Sequence, residues 1–290
     1  VALGKLAMYT NTTGANNTAI GTQALRLNTT ASNNTAVGYH ALQVNTTGTE
    51  NTATGWQSLK GNTTGNYNSA FGLGTLQTNT TGSYNTGTGQ QSLYSNTTAS
   101  YNTASGYRAL FGNTTGNSNV AIGAYALDVN TTGQLNTAVG YNTLTNQTGD
   151  AYNTAVGANS MENTTSGYFN AALGRLSLHA NTTGHSNTAL GYSAMASNTT
   201  GSANTAIGYQ AGLNNSTGTI TAVGRGALSS NTTGSANTAT GWMSLSSTQT
   251  GGYNTAFGEE ALRNNTSANN TAVGYRAAYG QTTGSATTAI

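Results

Sequence analysis

A glycine returns every 17 residues along this chain, at Gly4, Gly21, Gly38, Gly55, Gly72, Gly89, Gly106, Gly123, Gly140, Gly157, Gly174, Gly191 and Gly208. The register then continues through Gly224, Gly241, Gly258 and Gly274, with two intervals shortened to 16. A period this short leaves few architectures open, because each copy can bury an apolar face only by stacking on its neighbours. Written from the glycine, the unit is G-Y-x-A-L-x-x-N-T-T-G-x-x-N-T-A-V. It runs over residues 1–290 as a single continuous array with no second domain and no linker. Neither end carries a cap: Val1 lies inside one copy and Ile290 falls just before the next glycine, so the expectation is a piece of a longer array or a filament subunit.

Three registers hardly vary in character: one tolerates only a methyl group, and the other two, the residue before the glycine and the Leu four residues after it, are the expected core. The residue two before each glycine is Ala2, Ala19, Ala36, Ala53, Ala70, Ala104, Ala121 and onward to Ala289, with Gly87 as the exception. The residue just before the glycine is usually apolar, as in Ile20, Val37, Phe71, Ile122, Val139, Leu173, Ile207 and Phe257. Four residues after it comes Leu25, Leu42, Leu59, Leu76, Leu93, Leu110, Leu127 or Leu144. The alternating Thr, Val, Ile and Tyr between these registers favour strand, and N-T-T-G is turn chemistry. A helix would need apolar residues at i, i+3, i+4 and i+7 throughout, which the unit does not supply. The predicted fold is all-β, a parallel β-solenoid (β-roll) of about seventeen 17-residue coils. Each coil is expected to hold two short strands meeting near the glycine. Coils about 4.8 Å apart would make a rod on the order of 80 Å long.

Stacking accounts for the composition. Only 5% of residues are charged and Pro is absent. A charge in the repeat would face its own copy at about 5 Å in coil after coil, and Pro would remove a ladder donor. Asn and Thr can instead bond to their copies above and below. Eight Lys and Arg against six Asp and Glu give a net charge of +2 with no basic stripe, which argues against nucleic acid as a partner. No window approaches the roughly 18 apolar residues of a spanning helix, so membrane insertion is not expected. Each coil buries about two large aliphatic side chains, too little to offset the ordering of its backbone comfortably. Self-association, as a homotrimer or an end-to-end filament, is therefore expected.

Candidate chemistry is sparse. His40, His179 and His185 fall in different registers. The acids Glu50, Asp128, Asp150, Glu162, Glu259 and Glu260 are scattered, with only the last two adjacent. No recurrent Asp marks a calcium roll, and no Lys follows the glycines in a P-loop pattern. No catalytic, cofactor or metal residue is assigned, and an enzyme is not expected. The triplets at Asn11, Asn28, Asn45, Asn62, Asn79, Asn96, Asn113, Asn130, Asn163, Asn181, Asn198 and Asn231 fit the N-glycosylation sequon. Glycans on consecutive coils would crowd at about 4.8 Å spacing, so only sparse occupancy is physical. Tyr39, Trp56, Tyr107, Tyr141, Tyr192, Tyr209, Trp242 and Tyr275 follow the corner glycine, and Tyr67, Tyr84, Tyr101, Tyr152 and Tyr253 precede the second Asn. Such rows stack for packing, or offer platforms to sugars.

The segments Asn119-Val120-Ala121-Ile122-Gly123-Ala124-Tyr125-Ala126-Leu127 and Asn34-Thr35-Ala36-Val37-Gly38-Tyr39-His40-Ala41-Leu42 resemble the N-S-V-A-I-G-x-x-A-x-A repeat of trimeric autotransporter adhesin heads. They are similar as well to N-T-A-V-G-Y-x-A-L repeats of phage and bacterial tail-fibre-type proteins. The unit here is longer, and Thr usually stands where the adhesin repeat has its first Val. The resemblance covers the whole chain and implies a trimeric, left-handed parallel β-roll on a cell or virion surface. The expected function is an extracellular structural fibre or filament segment. The alternatives are a surface adhesin or tail-fibre shaft that binds cell-surface glycans and, behind it, an ice-binding solenoid. Ice binding would need flat Thr-x-Thr rows on a strand, whereas the paired Thr residues here lie in turns.

Overall fold

The computed structural model describes residues 1–149 and 151–290, arranged in two units, Val1–Asp150 and Ala151–Ile290. The first unit carries β1 (Ala2–Leu3), β2 (Thr18–Ile20), β3 (Thr35–Val37), β4 (Thr52–Thr54), β5 (Ser69–Phe71), β6 (Thr86–Thr88), β7 (Thr103–Ser105), β8 (Val120–Ile122) and β9 (Thr137–Val139). Each pairs in parallel with the next, one coil along, so that Ala19 lies opposite Ala36 and Ala36 opposite Ala53. The second unit repeats the arrangement with β10 (Thr154–Val156), β11 (Ala171–Leu173), β12 (Thr188–Leu190), β13 (Thr205–Ile207), β14 (Ile220–Val223), β15 (Asn237–Thr240), β16 (Thr255–Phe257), β17 (Thr271–Val273) and β18 (Thr288–Ala289). There too alanine faces alanine, as in Ala172 opposite Ala189 and Ala189 opposite Ala206. The fold is all-β, a parallel β-solenoid of about seventeen turns, and the described residues include no helix.

Each coil turns sharply at its glycine. Gly21 has φ +131, and a Cβ there would lie 2.5 Å from the carbonyl oxygen of Gly38. Both the torsion and the close approach of the next coil's backbone thus demand the absent side chain.

The expected second strand is a succession of tight turns. After Gly21, Gln23 and Leu25 both take left-handed torsions, φ 59 and 49, and the same pair recurs as His40 and Leu42, φ 57 and 49. The Ala24 N–H donates back to the Gly21 carbonyl at 3.2 Å and the Asn28 N–H to the Leu25 carbonyl at 3.2 Å. The intervening donors reach the next coil instead, Leu25 to Ala41 at 3.0 Å and Leu27 to Gln43 at 3.0 Å. Inter-coil bonding therefore continues along the turn side without a pleated strand.

A second expectation needs correcting. The residue just before the glycine, expected in the core, points outward. In the three-residue strands the middle residue, Ala or in one case Gly87, is buried while its neighbours are not, so Phe71, Leu173 and Phe257 remain 43%, 50% and 59% exposed. Strand geometry imposes this, since successive side chains point to opposite faces and the coil interior has room only for the methyl group. The core proper consists of that Ala file, the Leu25–Leu42–Leu59 file, a small Ala, Ser or Thr beside it, and two files of Asn, all buried.

The Asn files are the polar half of the core. Asn45, Asn62, Asn79 and Asn96 each donate Nδ2 to the Oδ1 of the Asn one coil back, at 3.1, 2.8, 2.8 and 2.7 Å, and also to a carbonyl three residues on in their own coil. In the second file Asn34 Oδ1 accepts the Asn51 N–H at 2.9 Å, and Asn34 Nδ2 donates to the Gly48 carbonyl at 2.9 Å. Buried amides are tolerable because nearly all of their polar atoms are engaged. Where Gln147 replaces Asn in the file, the Oδ1 of Asn130 is left without a partner.

The short coil that begins at Gly208 shows how strongly the interior must be filled. Gly212 stands in the Leu register, and Ile220 in the second Asn register of the same coil. Ile220 is 2% exposed, and its Cδ1 lies 2.6 Å from where a Gly212 Cβ would be, so the isoleucine occupies the space the leucine vacates. Its backbone N–H still takes the Asn204 Oδ1, at 2.6 Å.

Replacing Asn79 with Ala strands the Asn62 Oδ1 inside the coil. The expected loss is about 1–3 kcal/mol, read as faster hydrogen exchange of the neighbouring coils. Thr81→Ala, at an exposed side chain, is expected to change exchange by less than about 0.5 kcal/mol.

Candidate functional site

Within each unit the outward registers form three faces. The first is the strand face. Its Thr file, Thr18, Thr35, Thr52, Thr86 and Thr103 in the first unit, flanks the aliphatic file of Ile20, Val37, Phe71 and Ile122. This Thr file lies on strands, apart from the N-T-T turns. In the second unit Ala171 stands in the Thr file, and with Val156, Leu173 and Leu190 it opens an apolar hollow of about 240 Å³.

Tyrosines border this face. Tyr67 and Tyr84 stack at 4.8 Å and 11°, and Tyr84 and Tyr101 at 5.0 Å and 3°. Tyr192 and Tyr209, in the register after the glycine, stack at 5.5 Å. Stacked rings on successive coils are what the period dictates, and their edges and outer faces stay in solvent.

The second face is the N-T-T turn. Thr29 Oγ1 donates to the Thr46 carbonyl and Thr46 Oγ1 to the Thr63 carbonyl, both at 3.0 Å, so one Thr of each pair is a rung and the other is exposed. The sequon asparagines lie beneath. Asn28, Asn45, Asn62, Asn79, Asn96, Asn113, Asn130, Asn181, Asn198 and Asn231 are fully buried, their Nδ2 atoms committed to the ladder. Asn11 is half-buried and donates to the Gly14 carbonyl at 3.0 Å. Asn163 is out of register by one residue: Thr164 takes the buried place, and Asn163 Nδ2 reaches the His179 carbonyl at 3.1 Å.

The third face follows the corner, where the second and fifth residues after the glycine come together across neighbouring coils. Most of the ionisable side chains gather here. Arg108 and Asp128 pair twice, at 3.0 and 3.1 Å, and burial pushes the Asp128 carboxyl up although Arg108 opposes it. In the second unit His179 Nδ1 lies 3.6 Å from Glu162 and 3.2 Å from the Asn159 carbonyl. Glu260 is clasped by Arg276 and Arg263, and the Arg276 hydrogen bond, the larger influence, holds its carboxyl below the usual range. His185, on a different register, stacks on Tyr168 at 4.7 Å. Glu50 and Glu259 join none of these pairs, and Asp150 lies outside the described residues.

One cluster on this face differs. His40 stacks on Tyr39 at 3.7 Å and 15°, between Arg26 and Lys60 on the adjoining coils. Both ring nitrogens of His40 and the Nε of Arg26 are covered and lack a hydrogen-bond partner. Burial, then Lys60 and Arg26, push the His40 ring below its ordinary pKa. Gln43 donates to Gln23 at 2.5 Å beside it, and Tyr39 runs parallel to Trp56 at 6.4 Å and 13°.

Among the described residues, no group of three or more His, Cys, Asp or Glu is placed to hold a metal ion, and no helix is long and apolar enough to cross a membrane. No family model, curated protein or solved structure matches this chain.

Chains made in a glycosylating host and purified as folded protein are expected to carry no sugar on Asn45, Asn62 or Asn79, because attachment consumes the Nδ2 that the ladder needs. Glycopeptides spanning those residues in the folded fraction, found by mass spectrometry, would show that the ladder yields.

Proposed function

We propose that the chain is a segment of an extracellular structural fibre, displayed at a cell or virion surface, and that it self-associates as a homotrimer through its strand face. The observation that carries the reading is the outward aliphatic file. Val156, Leu173, Leu190, Ile207 and Val223 follow one another on consecutive strands of the second unit, with Leu173 and Leu190 50% and 40% exposed. Soluble monomers rarely leave so contiguous an apolar surface in water. A flat file of small and branched side chains suits packing against its own copies, because the matching period on each chain places every side chain opposite an equivalent one. The trimeric number and the surface location rest on the likeness of the repeat to adhesin heads and tail-fibre shafts. In this reading the role is mechanical and non-catalytic.

The Ala171 hollow gives the association a feature beyond bulk hydrophobicity. An apolar side chain from a neighbouring chain entering it would be surrounded by Leu173, Leu190 and Val156. Light scattering is expected to give three times the mass of the chain. The double substitution Leu173→Asp and Leu190→Asp is expected to give a monomer with the same circular dichroism. A native chain that stays monomeric at micromolar concentration would end the proposal.

A further inference from the structure

We propose that the first unit binds an acidic saccharide at the Arg26, His40 and Lys60 cluster, with the sugar ring resting against the solvent-exposed parts of the Tyr39 and Trp56 rings. The site uses neither the Thr file nor the aliphatic file, so it stands apart from the fibre reading and its trimer.

Charge is the first argument. On the post-corner face each of the other clusters includes a carboxylate: Asp128 with Arg108, Glu162 with His179, Glu260 with two arginines. Arg26 and Lys60 form no ion pair among the described residues. The post-corner registers of the coils from Gly21 through Gly72 hold no acid in sequence, and Glu50 belongs to the register before the second Asn. Two permanent cations one coil either side of His40 therefore face a site with no counter-charge of its own. Burial first, and then these two cations, disfavour a proton on His40.

Unmet hydrogen bonding is the second. A covered polar atom without a partner costs free energy, and this cluster holds three such nitrogens, on His40 and Arg26; a ligand recovers that cost when it draws these partly exposed side chains outward onto its own acceptors. Elsewhere the repeat engages its buried amides almost completely, so the concentration of unmet nitrogens here is a local departure. A carboxylate or sulfate supplies the acceptors that Arg26 and Lys60 want, in the geometry a guanidinium favours.

The third argument selects a sugar over a bare anion. Tyr39 and Trp56 present near-parallel rings, 45% and 47% exposed, at the register immediately before that of His40. An aromatic face covers the apolar side of a pyranose, while the Gln23 and Gln57 amides on the same register can meet ring hydroxyls. Two cations are too few for a nucleic-acid backbone, whose affinity grows with the number of phosphates contacted.

Calorimetric titration of the whole chain tests this with oligogalacturonate, heparin oligosaccharide, dextran, inorganic sulfate and oligo-dT. At least one acidic saccharide is expected to bind about tenfold more tightly than dextran, sulfate or oligo-dT, and which one identifies the anion as carboxylate or sulfate. The double variant Arg26→Gln and Lys60→Gln is expected to weaken it about tenfold, and Trp56→Ala about fivefold, with circular dichroism unchanged. Arg225→Gln, in the second unit, leaves binding as it was. Equal binding of dextran, equal binding of oligo-dT, indifference to Trp56→Ala in a folded variant, or no binding of either acidic saccharide each overturns the proposal.

Discussion

Every coil of this protein rests on a copy of itself, and the contact that fixes the register is the amide-to-amide hydrogen bond between equivalent asparagines. A side-chain amide has a donor and an acceptor of comparable reach. A file of them therefore polymerises: Asn62 gives to Asn45 and receives from Asn79 at 2.8 Å in each direction. No charged residue could do this, since a carboxylate only accepts and an ammonium only donates. A hydroxyl can stand in at a single rung, as Thr164 does in accepting from Asn181 at 3.4 Å. The amide is thus selected by the symmetry of the stack. The second Asn file adds an independent lock, because its Oδ1 takes a backbone N–H and its Nδ2 a backbone carbonyl, tying side chains of one coil to the chain path of the next.

With the register fixed, the rest of the coil is a problem of space. The strand and the turn side lie close enough that only a methyl group fits between them, which is why the middle strand residue is Ala and Gly87 but never larger. The large interior side chain comes from the turn side, and it sits in a left-handed backbone, φ 49 at Leu25. That torsion is costly for a branched side chain. The fully buried leucine file offsets the cost by burial and by contact with its own copies. The exchange of Leu for Gly212 with Ile220 supplying the volume shows that the space, and not the residue at a given position, is what the coil conserves.

The period, the turn and the ladders could be read from residue order because each is set by repetition, and repetition is what a sequence displays. The side of the strand that faces inward could not be read from hydrophobicity. In Thr35-Ala36-Val37 the largest apolar residue points to solvent, and the smaller one is core. The usable signal was variation: the residue before the glycine changes among Ile20, Thr54, Phe71 and Ser105, as an outward register may be allowed to do, while the alanine hardly changes. The left-handed torsions at Gln23 and Leu25 had no such signal, since neither residue type favours them. The slip at Asn163 was hidden for another reason. A sequon reads the same wherever it falls, and only the register of Gly157 reveals that Thr164 is the buried residue.

This division between invariant and variable registers separates folding from recognition. Substituting an inward residue disturbs the ladder on both sides, so those registers are bound to the period and can encode nothing local. The registers after the corner carry a backbone ladder and no repeating side-chain ladder. There the first unit places Gln23, Arg26, His40, Gln43, Gln57 and Lys60 within a few coils, while Arg108 and Asp128 lie further along the same face. Chemistry that differs from coil to coil can sit on a frame that does not differ at all, because the backbone bonds there connect atoms common to every residue type. A solenoid of this kind therefore need not break its repeat to gain a binding site. An unneutralised pair of cations beside exposed rings, at registers the stack leaves free, is the form such a site takes.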